Sequence, residues 1–216
     1  VTGVQTCALP IYTMSEPRFR PLSFGVTRVS LRDGAHGTHY LKADQELSAY
    51  PDRLTDRLRH WAQTAPDRTW MARRQPVLGA DGKTSLGDWR HISYGEAWAT
   101  ARRIAQGLIE RGLNAERPVA ILSENSLEHA LLALGAMLAG VPFVPTSPAY
   151  SLISTDFDKL RHVLRTVTPG LLFASDAQRY GKALLAVASD DVEIVLAHGE
   201  LPDRKSTRLN SSHGII

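Results

Sequence analysis

Apolar positions in this 216-residue chain alternate between two periods, and the alternation points to a fold class. Leu54, Leu58, Trp61, Ala62 and Ala65 share one helical face, which predicts a helix over 52–65 stopped by Pro66. Residues 69–73 and 89–92 read as strands around a polar turn at Asp81-Gly82. Ser93-x-x-Glu96 is a capping box, in which serine and glutamate each satisfy an orphan backbone group. The helix it opens carries Ala97, Ala101, Ile104, Ala105 and Leu108 inward, with Gly112 placed to end it. A short buried strand over 119–122 follows, then Asn125-x-x-Glu128 imitates a second capping box. The helix behind it, running to Ala139, is apolar almost all round and is expected to be buried, with Gly140 at its end. Residues 141–145 form the next strand, where two prolines deny ladder donors and predict an edge or a short stretch. Thr155-x-x-Asp158 opens a further helix with Phe157, Leu160, Leu164 and Val167 inward, ended by Pro169-Gly170. Strands over 171–174 and 192–197 flank a helix over 177–188. Strand and helix alternating at this spacing predict an α/β fold, a parallel sheet with crossover helices. Residues 18–50 show no sustained period and read as an extended arm with short strands.

The two ends need separate treatment before composition is used. If Val1 is written GTG, its reverse complement CAC encodes His213. Thr2 pairs with Ser212 in the same way, and the pairing runs unbroken to Ile11 with Asp203. Eleven consecutive pairs imply one oligonucleotide read on opposite strands, and it resembles a sequencing-library adapter. Residues 1–13 and 203–216 are therefore expected to be non-native leader and tail, with 14–202 the protein proper. Setting them aside removes Asp203, Arg204, Lys205 and Arg208. Lys+Arg then falls from 25 to 22 and Asp+Glu from 22 to 21, a net charge of +1. The basic balance that would favour nucleic acid or an anionic membrane disappears. Cys7, the one cysteine, falls in the leader, so neither a disulfide framework nor thiol chemistry is expected, which is compatible with a reducing cytoplasm. No apolar run reaches the roughly 18 residues of a membrane span.

Two core strings carry a family resemblance. Ile92-Ser-Tyr94-Gly-Glu96 ahead of an amphipathic helix resembles the first core motif of adenylate-forming (AMP-binding) acyl-CoA synthetases, and the stretch from Met137 through Gly140 to Pro145 resembles their second. Within that superfamily the strings PDRLTDRLRHWAQTAPDRTW, RPVAILSENSLEHALLALGAM, VPTSPAYSLISTDFDKLRH and TPGLLF resemble feruloyl-CoA synthases most. The resemblance covers nearly all of 14–202, in order. It implies the incomplete N-terminal part of an acyl-CoA synthetase-like large domain.

What it implies chemically is a two-step ligation. A carboxylic acid, here a hydroxycinnamate such as ferulate, attacks the α-phosphate of ATP. Pyrophosphate leaves, and the thiol of coenzyme A (CoA) displaces AMP. Mg2+ and fixed donors hold the phosphates while bonds change. The family's phosphate loop, adenine-side aromatic motif, ribose-binding aspartate and acylation lysine all lie beyond the matched stretch. The resemblance therefore assigns no catalytic, cofactor-binding or metal-binding residue to any position here, and no cofactor is expected to bind 14–202 alone. The rivals are another aryl- or fatty-acyl-CoA synthetase and a stand-alone α/β ligand-binding module.

Other residues with chemical potential have blander readings. Gly82-Lys83-Thr84 imitates the end of a Walker loop, but position 77 is Val77 where the first glycine belongs, and a hairpin turn fits better. His36 and His39 lack a third metal ligand at sensible spacing and read as loop residues. His129 follows the carboxyl end of a strand, where open α/β sheets bind ligands, yet suits a satisfied helix histidine. Asp156 and Asp158 read as charges at a helix start. Arg102, Arg103 and Arg111 read as a solvated helix face.

Overall fold

A computed structural model describes residues 28–79, 82–201 and 207–208. It divides into two units, one ending at Tyr50 and one starting at Pro51. In the first, β1 (Val29–Asp33) and β2 (His39–Ala43) form an antiparallel hairpin, so the extended arm with short strands is present in the described part of 18–50. The hairpin is exposed throughout, held by Ser30 to Asp44 and by the Arg32 guanidinium 4.3 Å over the Tyr40 ring.

The second unit is built on a parallel sheet. Its strands are β5 (Val119–Leu122), β6 (Phe143–Pro145), β7 (Leu171–Asp176), β8 (Glu193–His198) and the two-residue β9 (Thr207–Arg208), in the order β6-β5-β7-β8-β9. Side chains alternate across the pleat. Val119, Ile121, Leu171, Phe173, Val195 and Ala197 face α2 (Tyr94–Glu110) and α3 (Leu127–Ala139), which cover one side. Ala120, Leu122, Leu172, Ala174, Ile194 and Leu196 face α5 (Asp158–Val167) and α6 (Ala177–Val187) on the other. Burial on both faces explains why these strands read as continuous apolar runs. The proline-bearing β6 is the edge strand its sequence predicts.

The helix ends follow the predicted chemistry, with corrections of a residue or two. The Ser93–Glu96 capping box is formed as expected. At the far end of α2, Gly112 has φ +68°, Gly112 N–H donates to Ile109 and Leu113 N–H to Leu108, a Schellman motif. Gly140 ends α3 in the same left-handed conformation. The start of α3 differs: Ser126, not Asn125, is the cap, accepting from His129 N–H, so Glu128 lies one position short of a reciprocal capping glutamate. The core takes one face of α3, and Met137, on the other, is exposed in this chain.

In α1 (Leu54–Thr64) the inward stripe is shifted. Leu54 is 68% exposed and Thr55 is buried, because Thr55 lies one turn from Leu58 on the packed side. α5 begins two residues later than a cap at Thr155 would place it. Ser154 rather than Thr155 accepts from Phe157 N–H, and Phe157 itself has φ +58° while its ring is buried. A short helix α4 (Pro148–Leu152), absent from the periodic reading, precedes it. The two strands around the polar turn are longer than predicted, β3 (Thr69–Leu78) and β4 (Thr84–Ser93), forming an antiparallel ribbon.

Candidate functional site

The chain leaves β5 through α3 on one side of the sheet and leaves β7 through α6 on the other. The carboxyl ends of β5 and β7 are therefore a topological switch point, the place where open α/β sheets form a crevice. A cavity of about 390 Å³ lies there, between Glu124, Ser126 and Glu128 after β5, Asp176 ending β7 and Arg179 beyond it, His198 ending β8, and the β3–β4 ribbon. An adjoining cavity of about 530 Å³ shares Arg73, Ser126 and Leu127 and extends along α3 past His129 to Ala133.

The ribbon brings two like charges to the crevice. Arg73 and Arg90 are direct partners in the β3–β4 register, an arrangement that repels unless each charge is met. Arg73 Nη1 donates to the Asn125 carbonyl at 2.6 Å, and Arg90 Nη1 to Glu128 Oε1 at 2.6 Å. Glu128 is 7% exposed. Burial alone would raise its pKa, but a backbone donor, the Arg90 hydrogen bond and charge, and the His198 charge outweigh it and hold the carboxyl below the usual range. Deeper along α6, Arg179 makes a two-pronged contact with Glu124, both oxygens at 2.7 Å. That hydrogen bond is the main cause that lowers the Glu124 pKa, with the Arg73 charge adding to it.

This arrangement decides what the crevice can hold. Arg74 is also engaged, donating to the Leu86 and Gly87 carbonyls at 3.0 and 2.9 Å. All four crevice guanidiniums thus have acceptors within the chain, and no described cluster of three His, Cys, Asp or Glu could hold a metal. The described residues do not by themselves fit a nucleotide–Mg2+ group, and no step is routed through one.

The residues singled out from sequence are scattered. His36 lies at the β1–β2 connection with φ +57°, and His39 Nδ1 sits 2.6 Å from Asp33 on the same hairpin. Gly82-Lys83-Thr84 belongs to the β3–β4 connection, where Gly82 N–H donates to Gly79, as a hairpin requires; Asp81 of the expected turn lies outside the described residues. Asp156 accepts from Ser154 and from Asp158 N–H, and these bonds lower its pKa; Asp158 stands in the first turn of α5. Arg102 is exposed, and Arg103, also exposed, donates to Thr100, as a solvated face would have it. Arg111 departs from that reading: it donates to Glu193 at 2.9 Å and to Gly107, tying the end of α2 to β8. His129 is both things its position allows, lining the larger cavity while its Nδ1 sits 3.3 Å from the Glu124 carbonyl. Sequence reasoning missed Arg73, Arg90, Glu124 and Arg179. The available signal was charge placed directly after buried strands, at Glu124 and at Arg179.

Fold and crevice define a doubly wound α/β domain with helices on both faces of a parallel sheet and a crevice at its switch point. The chain belongs to the AMP-binding enzyme family, whose family model matches residues 58–214. Long-chain-fatty-acid–CoA ligase ACSBG1 of Bos taurus is 41% identical over 63 residues, 29% of this chain and 9% of that protein. Malpinin synthetase of Mortierella alpina is 34% identical over 88 residues, 41% of this chain and 1% of that one. Among solved structures, the A domain of carboxylic acid reductase from Segniliparus rugosus, in complex with AMP and a co-purified carboxylic acid, superposes with a TM-score of 0.53 at 21% identity over 67% of this chain and 24% of that chain. Fatty acid AMP ligase from Legionella pneumophila gives 0.50 at 19% identity, over 67% and 23%. The structural likenesses are likenesses of fold, and the chain spans a small part of each relative's length. No helix among the described residues is long and apolar enough to cross a membrane.

Proposed function

We propose that 14–202 is the N-terminal part of an ATP-dependent acyl-CoA ligase acting on ferulate or a similar hydroxycinnamate, with CoA and Mg2+ as further reactants of the longer protein. The observation that carries this reading is the set of feruloyl-CoA synthase-like strings, which span the second unit from α1 to β7 within a family that activates acids. In this reading the stretch is architectural. It builds the sheet and the crevice wall against which residues further along the gene product assemble the adenylating site. A second reading, activation of a fatty acid, is favoured by the relatives named long-chain-fatty-acid–CoA ligase and fatty acid AMP ligase.

The test begins with the gene beyond residue 202. A Thr/Ser/Gly-rich loop with a lysine supports a ligase, whereas a stop codon there supports a stand-alone module. Pyrophosphate exchange by the extended product then separates the acids. Ferulate-dependent exchange at least tenfold above that with a long-chain fatty acid is expected, and the reverse order would replace the first reading with the second.

A further inference from the structure

At the opposite, amino-terminal end of the sheet a third cavity of about 340 Å³ opens below β7 and β8, with Arg117, Arg161 and Arg165 on its rim. Its floor is apolar, formed by Leu164, Leu172 and Val187. We propose that this cavity binds an organic oxyanion, a phosphate or carboxylate carried on a small apolar body.

Three observations carry the inference. Arg161 and Arg165 stand one helical turn apart on α5, a like-charge spacing that is unfavourable to a helix. Among the described residues neither guanidinium has a carboxylate within ion-pair distance. Arg117 is held in place: its stem lies against Gly170, where an added Cβ would come within 3.1 Å of it, and its head reaches the Asp191 carbonyl at 3.2 Å and carboxylate at 3.7 Å.

The charge balance then favours an anion. Asp191 offsets one of the three arginines, and the carboxyl ends of α5 and α6, which meet here, each contribute roughly half a negative charge. About one positive charge remains over an apolar floor. Guanidinium recognises carboxylate and phosphate alike by paired N–H donors, so the shared chemistry is the oxyanion, and the apolar floor asks for a hydrocarbon body. The site is separated from the crevice by the length of the sheet and does not depend on the acid proposed for that crevice.

Calorimetric titration of the 216-residue chain with phenyl phosphate, benzoate, inorganic phosphate and neutral benzyl alcohol tests this. Saturable binding of phenyl phosphate or benzoate is expected, with the tighter of the two identifying the head group. Inorganic phosphate should bind at least tenfold more weakly than phenyl phosphate, and benzyl alcohol not detectably. The Arg161→Gln/Arg165→Gln double variant should lose at least tenfold in affinity with no fall in Tm, while Arg161→Lys/Arg165→Lys retains part of it. Absence of saturable binding, equal affinity for benzyl alcohol, or undiminished affinity in the glutamine variant would overturn the proposal.

Discussion

At the scale of single residues, the crevice rests on carboxylates whose partners come from distant parts of the chain. Glu128 is nearly buried and depends on Arg90 from the ribbon. Arg90→Ala leaves that carboxylate without its charge partner. Removing one member of a fully buried pair costs about 3–5 kcal/mol, but Arg90 is 41% exposed and Glu128 keeps its backbone donor. A loss of about 1–2 kcal/mol in urea unfolding is therefore expected. The same group sets a pH response. Its folded pKa lies below the ordinary glutamate value, as does that of Glu124. The stabilisation is therefore complete above about pH 4.3 and is lost as pH falls through the depressed folded values. The Tm of the unaltered chain should drop more steeply below pH 4.3 than that of Glu128→Gln; parallel profiles would mean that Glu128 contributes nothing to the acid limb.

At the scale of elements, α2 and α3 approach each other closely. Gly135 faces Ile104, and a Cβ built there would stand 2.4 Å from its Cγ2 and 2.6 Å from its Cβ. Neither atom is the free end of a flexible chain, so Gly135→Ala must push the helices apart, costing about 1–3 kcal/mol. Gly140→Ala has open space around it but a φ of +72°, so its loss of about 1 kcal/mol would come from backbone strain alone. The two variants separate experimentally: Gly135→Ala alone should change near-ultraviolet signals from the neighbouring core.

These elements also show what sequence makes legible. Centres of α2, α3, β5, β7 and β8 follow directly from periodicity, because burial on one or both faces writes itself into every second or every third to fourth residue. Caps slip by one, as at Ser126, since two adjacent residues both have cap-forming side chains and the choice depends on how the loop leaves β5. The crevice was illegible because its charges meet through ribbon register and sheet order: nothing in the neighbourhood of Arg73 or Arg90 announces that each will reach the loop or helix start 38 to 52 residues further on.

At the scale of the whole molecule, the decisive property is where positive charge is free. Adenylation needs donors that are unspent until phosphate arrives, preorganised around the α-phosphate where charge develops. In the switch-point crevice Arg73, Arg74, Arg90 and Arg179 are each bound to a carbonyl or carboxylate of the chain itself. Prising Arg179 from Glu124 would cost both prongs of a charge-assisted contact before a nucleotide gained anything. The 216-residue chain should therefore give pyrophosphate exchange with ATP and ferulate no greater than a protein-free blank, while remaining folded by circular dichroism. The same assay on the extended gene product provides the positive comparison. Exchange by the 216-residue chain would show that its crevice already contains a working phosphate site, and the architectural role assigned to it would have to be abandoned.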